Sequence, residues 1–313
     1  MHCSTPVPSN LWNLVLAAGS GRRLAGVTGA VPKQFWSADG GSTLLEDTLK
    51  RTAPLAPPER TVIVVDRTHA PFVDALPHVE RSHRVVYQPR DRGTAAGVLL
   101  GLTEVVAMEP DARVLLTPSD HGVTRPREFL TGLCHAARTV HTNPDHIVLF
   151  GVEAESAEGD YGWITPAGEP AADTRLRPVA AFVEKPVARV ARQLFESGAV
   201  WNTMVLVARA SALLELYRSR LPELTAIFMH SLGMSGEERG VFLHAQYENI
   251  RAADFSHDLL SRADGLSLHT WPASIGWSDL GTPARLERWR DGQSSDRAAA
   301  SFRAGMSMPQ PCC

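Results

Sequence analysis

Short apolar, β-branched runs alternate with stretches of helical period through the first half of the chain. Asn13–Ala17, Thr61–Val65, Arg84–Tyr87, Arg113–Leu116 and Ile147–Phe150 read as strands, and Thr43–Arg51, Thr94–Met108 and Arg125–Val140 as helices. That alternation predicts an α/β fold, a Rossmann-like, mostly parallel sheet sandwiched by helices. In such sheets ligands sit beyond the carboxyl ends of the strands, so the residues just after each strand are where chemistry is expected. The second half is less regular. Tyr161–Thr165, Val179–Val183 and Leu266–Trp271 read as strands, and Val187–Ser197, Ser211–Leu221 and Asp258–Ala263 as helices. With no repeat and no clear linker, a single domain over about 11–290 is expected, its halves meeting near residue 150. From Asp291 to Cys313 the residues turn small and polar, as a flexible tail would.

Composition narrows the classes. Hydrophobic residues make up 44% of the 313 and charged residues 21%, a globular balance that excludes wholesale disorder. The net charge of −3 gives no electrostatic reason to expect nucleic acid or an anionic membrane as partner. No apolar run approaches the roughly 18 residues needed to span a bilayer. The polar start, Met1 to Asn10, lacks the features of a signal peptide. Cys3, Cys134, Cys312 and Cys313 form neither a disulfide framework nor a metal spacing, so a reducing, cytoplasmic setting is expected.

The first strand runs into Leu16-Ala17-Ala18-Gly19-Ser20-Gly21-Arg22-Arg23-Leu24. Two glycines spaced by one residue let main-chain N–H groups approach an anion closely. Arg23 adds a cationic fork suited to phosphate oxygens. Pro32-Lys33-Gln34-Phe35 then brings a second cation that can fold back onto the same phosphates. A dinucleotide fingerprint requires glycine where Leu24 stands, and a Walker loop requires a Gly-Lys-Ser/Thr that is missing. A triphosphate cradle fits best.

Three further segments carry polar groups just past strands. Gln88-Pro89-Arg90-Asp91-Arg92-Gly93-Thr94 opens a helix, where the Thr94 hydroxyl can serve a ligand or cap the helix. Thr117-Pro118-Ser119-Asp120-His121 puts a carboxylate beyond an apolar strand, suited to Mg²⁺, a hard cation that prefers oxygen ligands and substrate phosphates. Phe182-Val183-Glu184-Lys185-Pro186 places an acid and a base at a strand end.

Leu16 to Arg23 with Pro32-Lys33 resembles the signature of the nucleotidyltransferases that activate sugar 1-phosphates, with mannose-1-phosphate guanylyltransferases nearest in wording. The loop alone is equally similar to the cytidylyltransferases of isoprenoid synthesis. Those are shorter and lack Phe182 to Pro186, Trp201-Asn202 and Trp277-Ser278-Asp279 in this form. Asp160-Tyr161-Gly162-Trp163-Ile164 resembles the family's sugar-pocket strand, Trp201-Asn202-Thr203-Met204 its Trp-Asn-Ser-Gly, and Trp277-Ser278-Asp279-Leu280-Gly281 its Trp-Ser-Asp-Val-Gly. Two positions depart: Gly93 stands where the family usually has Asn, and Met204 where it has Gly.

The resemblance, which spans about residues 13 to 288, implies a nucleotide-diphospho-sugar transferase fold and a nucleotide-binding half at about 11–150. There the nucleotide would meet Leu16, Ala17, Ala18, Gly19, Ser20, Gly21, Arg23, Lys33, Gln88, Gly93, Thr94 and Asp120. In a sugar-binding half at about 151–290, the sugar phosphate would meet Tyr161, Gly162, Glu184, Lys185 and Asn202. Asp120 and Asp279 would hold Mg²⁺, and Arg23, Lys33, Asp120, Lys185 and Asp279 would form the catalytic set. The implied reaction joins mannose 1-phosphate to GTP, giving GDP-mannose and pyrophosphate. The family's C-terminal β-rich extension is expected to be absent or vestigial, and the oligomeric state, a homodimer included, is left open. Two alternatives stand beside this reading: a non-catalytic sensor or regulatory subunit on the same fold, and a cytidylyltransferase acting on a non-sugar alcohol phosphate.

Overall fold

A computed structural model of the protein describes residues 10–38 and 40–290, Arg22 without its side chain. The expected tail, 291–313, lies outside the described residues. Nine strands form one sheet: β1 Leu11–Ala17, β2 Thr61–Asp66, β3 Arg84–Gln88, β4 Arg113–Pro118, β5 Ile147–Glu153, β6 Trp163–Pro166, β7 Arg177–Val183, β8 Val200–Arg209 and β9 Ser267–Trp271. Their order is β3-β2-β1-β4-β8-β5-β9-β7-β6. β2 and β4 are buried at every position, as strands covered on both faces must be.

The first four strands are parallel, as the alternating pattern predicts. The whole sheet is mixed, however, because β8 runs antiparallel between β4 and β5. Sequence reading left β8 out, although Val200–Arg209 is largely apolar. The strand is broken by a bulge: Leu206 pairs with Leu149, but Asn202 pairs with Gly151, so Thr203 to Val205 span a gap that one residue spans on β5. The Thr203 hydroxyl fills the gap by donating to the Phe150 carbonyl at 2.6 Å, and Met204 turns into the left-handed region at φ 59°. The bulge lets β8 change partners, pairing with β4 through its last residues and with β6 through Val200 and Trp201. β7 joins β6 to β9, and β9 lies beside β5, so β5, β9, β7, β6 and β8 form a closed circuit of pairings.

Helices cover both faces. The helix Gly93–Met108 is almost wholly buried, lying on β1 and β2 beneath the helix Pro222–Ser231. The helix Pro126–Thr142 covers the opposite face, packing Phe129, Leu133 and Ala137 against Phe150 and Trp271. The expected helix Thr43–Arg51 starts one residue later, because Thr43 caps it in a reciprocal capping box with Glu46. The helices Pro222–Ser231 and Gly236–Tyr247 add cover that the sequence reading lacked. The expected helix Asp258–Ala263 is instead a wide turn over Phe255–Leu259 followed by a tight turn over Leu260–Arg262. The reason is local: Asp254 accepts from the His257 N–H, and Asp258 accepts from the Asp254 N–H, both at 2.8 Å. That reciprocal cap closes the segment on itself.

One core contact carries a pH signature. His269 on β9 packs its ring against Phe150, Trp271 and His135. Burial, with His135 adding to it, pushes its pKa down to about 4. Between its ordinary pKa near 6.5 and about 4, the unfolded chain takes a proton that the folded chain refuses, so stability is lost as pH falls through that window. Replacing His269 with Gln should reduce the drop in stability between pH 7 and pH 5 by about 1–2 kcal/mol, read from urea unfolding at the two pH values. An unchanged drop would show that His269 does not resist protonation.

Candidate active site

The site grows from the carboxyl ends of β1 and β4. β1 ends at Ala17, and the chain turns through Ala18-Gly19-Ser20-Gly21 into a single tight turn, Arg22–Leu24. Gly21 holds φ 61°, and a Cβ there would lie 2.9 Å from the Lys33 main-chain nitrogen. Only glycine lets the segment Lys33–Phe35 fold back this closely onto the loop. Gln34, buried behind the loop, fixes its shape: its Nε2 donates to the carbonyls of Ala17 at 2.7 Å and Gly19 at 3.1 Å. His69 Nδ1, at the end of β2, lies 3.3 Å from the same nitrogen. Gln34 was quoted in the loop motif without a role, and no sequence spacing points to carbonyls 15 and 17 residues away.

Lys33 is only 5% exposed. Its ammonium donates to Asp120 Oδ2 at 3.0 Å and to the main-chain carbonyl of Asp279. A buried cation needs such partners, since desolvation without them costs several kcal/mol. Burial alone would raise the Asp120 pKa, but Lys33 and His121 hold the carboxyl below the usual range. His121 packs edge-on against Trp277, and burial pushes its pKa down to about 4, so it is neutral at pH 7. Arg51 donates to the His121 carbonyl at 3.1 Å and thereby braces the loop that bears Asp120.

Asp279 follows the segment 272–278, which an antiparallel bridge between Ser278 and Gly122 pins beside Asp120. Its Oδ1 accepts from the Tyr161 hydroxyl at 2.9 Å and from the Gly281 N–H at 3.0 Å. Arg285 reaches both carboxylate oxygens, at 3.3 and 3.2 Å, and also Glu158 at 2.8 Å. Asp160 lies 3.8 Å from Arg285 and 3.6 Å from the exposed Arg23. The two carboxylates expected to hold Mg²⁺ thus flank one ammonium. Asp279 Oδ2 has Arg285 as its one hydrogen-bond donor among the described residues and keeps lone-pair capacity. Hard carboxylate oxygens with phosphates to complete the shell are what Mg²⁺ requires, so this donor set fits it. No cluster of three or more His, Cys, Asp or Glu among the described residues could hold a metal without substrate.

A second group lies across the bulge. A Cβ on Gly162 would meet Glu184 Oε2 at 2.5 Å and Asn202 Cβ at 3.3 Å, so these three residues are packed together. The Gly162 carbonyl accepts from the Asn202 N–H at 2.7 Å. Lys185 takes φ 44°, which turns its ammonium back to Glu184 at 3.2 Å. Burial raises the Glu184 pKa, and Asp254 adds to it against Lys185. Tyr161 departs from expectation. Its ring stacks on the Arg285 guanidinium at 4.3 Å and packs on Trp201, and its hydroxyl is committed to Asp279, so its side chain does not join Gly162 and Glu184. Alternation of side chains along this extended segment sends Tyr161 and Gly162 to opposite faces.

The segment after β3 is tied down rather than open. Gln88 is 3% exposed, with its Oε1 facing Gly97 and lacking a partner. The Thr94 hydroxyl does not cap its own helix; it donates to Asp254 at 3.2 Å and accepts from the Phe255 N–H at 2.8 Å. Asp254 and Arg285, like Glu158, were not legible as site residues in the sequence.

The chain matches the family model described as nucleotidyl transferase over residues 12–291. It is 28% identical over 279 residues to the alginate biosynthesis protein AlgA of Pseudomonas aeruginosa, covering 86% of this chain and 56% of that protein. It is 28% identical over 278 residues to the mannose-1-phosphate guanylyltransferase RfbM of Salmonella typhimurium, covering 87% and 57%. The chain therefore spans just over half the length of these curated relatives. A crystal structure titled mannose-1-phosphate geranyltransferase, from Thermus thermophilus, superposes with a TM-score of 0.79 at 29% identity, over 90% of this chain and 79% of that one.

Gly93 gives a structural test of the site's frame. It holds φ 81°, and a Cβ would clash with the Ala253 carbonyl oxygen and lie 2.9 Å from its carbon. Gly93→Ala should cost about 2 kcal/mol or more through strain and overlap, measured by urea unfolding. A loss below experimental error would mean that the 251–254 segment yields freely. With these strand ends, loops and matches together, the chain belongs to the nucleotidyl transferase family.

Proposed function

We propose that the protein transfers a nucleotidyl group from a nucleoside triphosphate, GTP foremost, to a sugar 1-phosphate, mannose 1-phosphate foremost, releasing pyrophosphate. The observation that carries this reading is the buried Lys33 ammonium, which joins Asp120 and the Asp279 loop under the Gly21 turn. The names of the relatives support guanine and mannose as first choices. The cytoplasm, where nucleoside triphosphates are abundant, is the expected setting. Among the described residues no helix is long and apolar enough to cross a membrane.

Two polyanions must meet, so the main task is charge neutralisation and alignment. Arg23 and Lys33 neutralise the triphosphate, and the main-chain groups from Leu16 to Gly21 shape its cradle. Gln88, Gly93 and Thr94 bound the side where the base and ribose lie. Lys185 orients the attacking phosphate, while Glu184 and Asn202 accept and donate hydrogen bonds to sugar hydroxyls. The phosphate nucleophile is already anionic at pH 7, so its attack on the α-phosphorus needs no general base. Asp120 and Asp279 hold Mg²⁺, which supplies Lewis-acid stabilisation of the α-phosphate when bound.

Pyrophosphate release should appear with GTP and mannose 1-phosphate in a panel of four triphosphates and several sugar 1-phosphates. Release with another pair keeps the mechanism and corrects the substrate; binding without turnover points to a sensor. Asp120→Ala should lower kcat by about 100-fold or more with an unchanged circular-dichroism spectrum. Near-normal turnover would refute its role. Lys185→Ala should raise the KM for the sugar phosphate about tenfold with little change in that for the triphosphate. Equal changes would count against its assignment.

A further inference from the structure

Arg285 is the most heavily committed cation near the site, and the reaction as described gives it nothing to do. Thr282 begins its helix: the Thr282 hydroxyl accepts from the Arg285 N–H at 3.3 Å, and Pro283 occupies the first position of helix 283–290. This start aims the side chain inward, where it is 6% exposed. The guanidinium then meets Asp279 through both carboxylate oxygens, Glu158 at 2.8 Å, Asp160 at 3.8 Å and the face of Tyr161 at 4.3 Å. Lys33 reaches only the main-chain carbonyl of Asp279, so the carboxylate's charge is balanced by Arg285. Burial disfavours the charged guanidinium, but Asp279, Tyr161 and Glu158 outweigh it and hold its pKa above the ordinary value.

We propose that Arg285 is a positioning residue: an internal counter-ion that keeps Asp279 aimed between Tyr161 and Lys33, and that shares this carboxylate with the divalent cation when the cation binds. The inference rests on the proposed metal role of Asp279. Its logic is competitive. A carboxylate bound by a buried guanidinium presents less negative charge to a second cation, so Arg285 weakens cation binding by itself. In return, Asp279 does not rotate or attract stray cations while the site waits for its substrates. Removing the guanidinium frees Asp279 and leaves Glu158 and Asp160 unbalanced beside it. Cation affinity rises while the alignment that serves turnover is lost. A residue that merely stabilised the fold would lower both together.

The test measures Mn²⁺ binding to the full chain without nucleotide, by the loss of the free-ion electron paramagnetic resonance signal. The variants are Arg285→Met, Arg285→Lys and Asp279→Asn, with turnover measured in parallel. Arg285→Met should bind Mn²⁺ about fivefold or more tightly than the unaltered protein. Its kcat should fall about tenfold or more. Arg285→Lys retains the charge but loses the fork, and its affinity should lie between the two. Asp279→Asn should weaken Mn²⁺ binding, which establishes that the carboxylate meets the cation. Unchanged or weaker Mn²⁺ binding by Arg285→Met, with Asp279→Asn weakened, would overturn the counter-ion role alone. Unaltered binding by Asp279→Asn would overturn the metal role of Asp279 and this inference with it. If Arg285→Met does not fold, Arg285→Lys decides: an affinity equal to that of the unaltered protein overturns the proposal.

Discussion

The buried ammonium of Lys33 is the contact on which the arrangement of the site depends. It sits between residues 87 and 246 positions away in sequence and joins the end of β4 to the loop after β9. Those two segments come from opposite ends of the chain, and a charge-assisted hydrogen bond to each fixes their separation. Gly21 admits the Lys33 backbone against the first loop, and Gln34, the next residue, anchors the carbonyls of that loop. Four consecutive residues, Pro32 to Phe35, therefore set the positions of three loops. The cost of burying this cation is met by partners that the proposed reaction also uses, so stability and function draw on the same groups.

The sheet explains why the site has two sides. A parallel half, β3-β2-β1-β4, supplies open strand ends and the first glycine loop. β8 then breaks the parallel run, and its bulge hands the strand from β4 to β6. This re-aims Asn202 toward Gly162 and Glu184, a use of bulges common beside binding sites. The opposite face of the same segment carries Tyr161, Trp201 and Trp277, and Tyr161 links that apolar cluster to Asp279 through its hydroxyl. One strand segment thus contributes a backbone approach on one face and a carboxylate anchor on the other. Its two roles are separated only by side-chain alternation.

The parts of the fold that rest on local pattern were legible. Each strand of the parallel half is a short apolar run, and Thr43 and Glu46 announce a helix start. β8 was not legible because its polar Asn202-Thr203 interruption reads as a loop until the Thr203 hydroxyl is seen to satisfy the Phe150 carbonyl. The segment 254–262 reads as a helix from its apolar spacing, but Asp254 and Asp258 cap one another and stop it. For the site, residues next to strand ends could be found from motif and position alone. Gln34, Asp254 and Arg285 act through contacts 15 or more residues away, and no spacing encodes them. Tyr161 was placed with the sugar because its neighbours are, and the two-residue period sent it elsewhere.

The departures at Gly93 and Met204 have one explanation in backbone conformation. Both hold positive φ, 81° and 59°. At Gly93 the constraint is external: the Ala253 carbonyl occupies the space of a side chain, and the N–H of Ala95 binds that same carbonyl at 3.0 Å. The segment that carries Asp254 is thereby held against Thr94, which makes glycine there a packing requirement as much as a contact to a base. At Met204 the constraint is the bulge itself. A non-glycine residue in this region carries about 1–3 kcal/mol of strain, and it persists only where the surroundings over-determine it. Here Asn202 Oδ1 accepts from the Met204 N–H at 3.1 Å, and Ser256 donates to its sulfur at 3.5 Å. Methionine is unbranched and polarisable, so it fills the gap against Ser256 with little added crowding. The side chain occupies volume that glycine would leave open, next to Asn202. Its effect is therefore on the shape of the pocket that meets the sugar, while the backbone path and the charge network around Lys33 are left as they are.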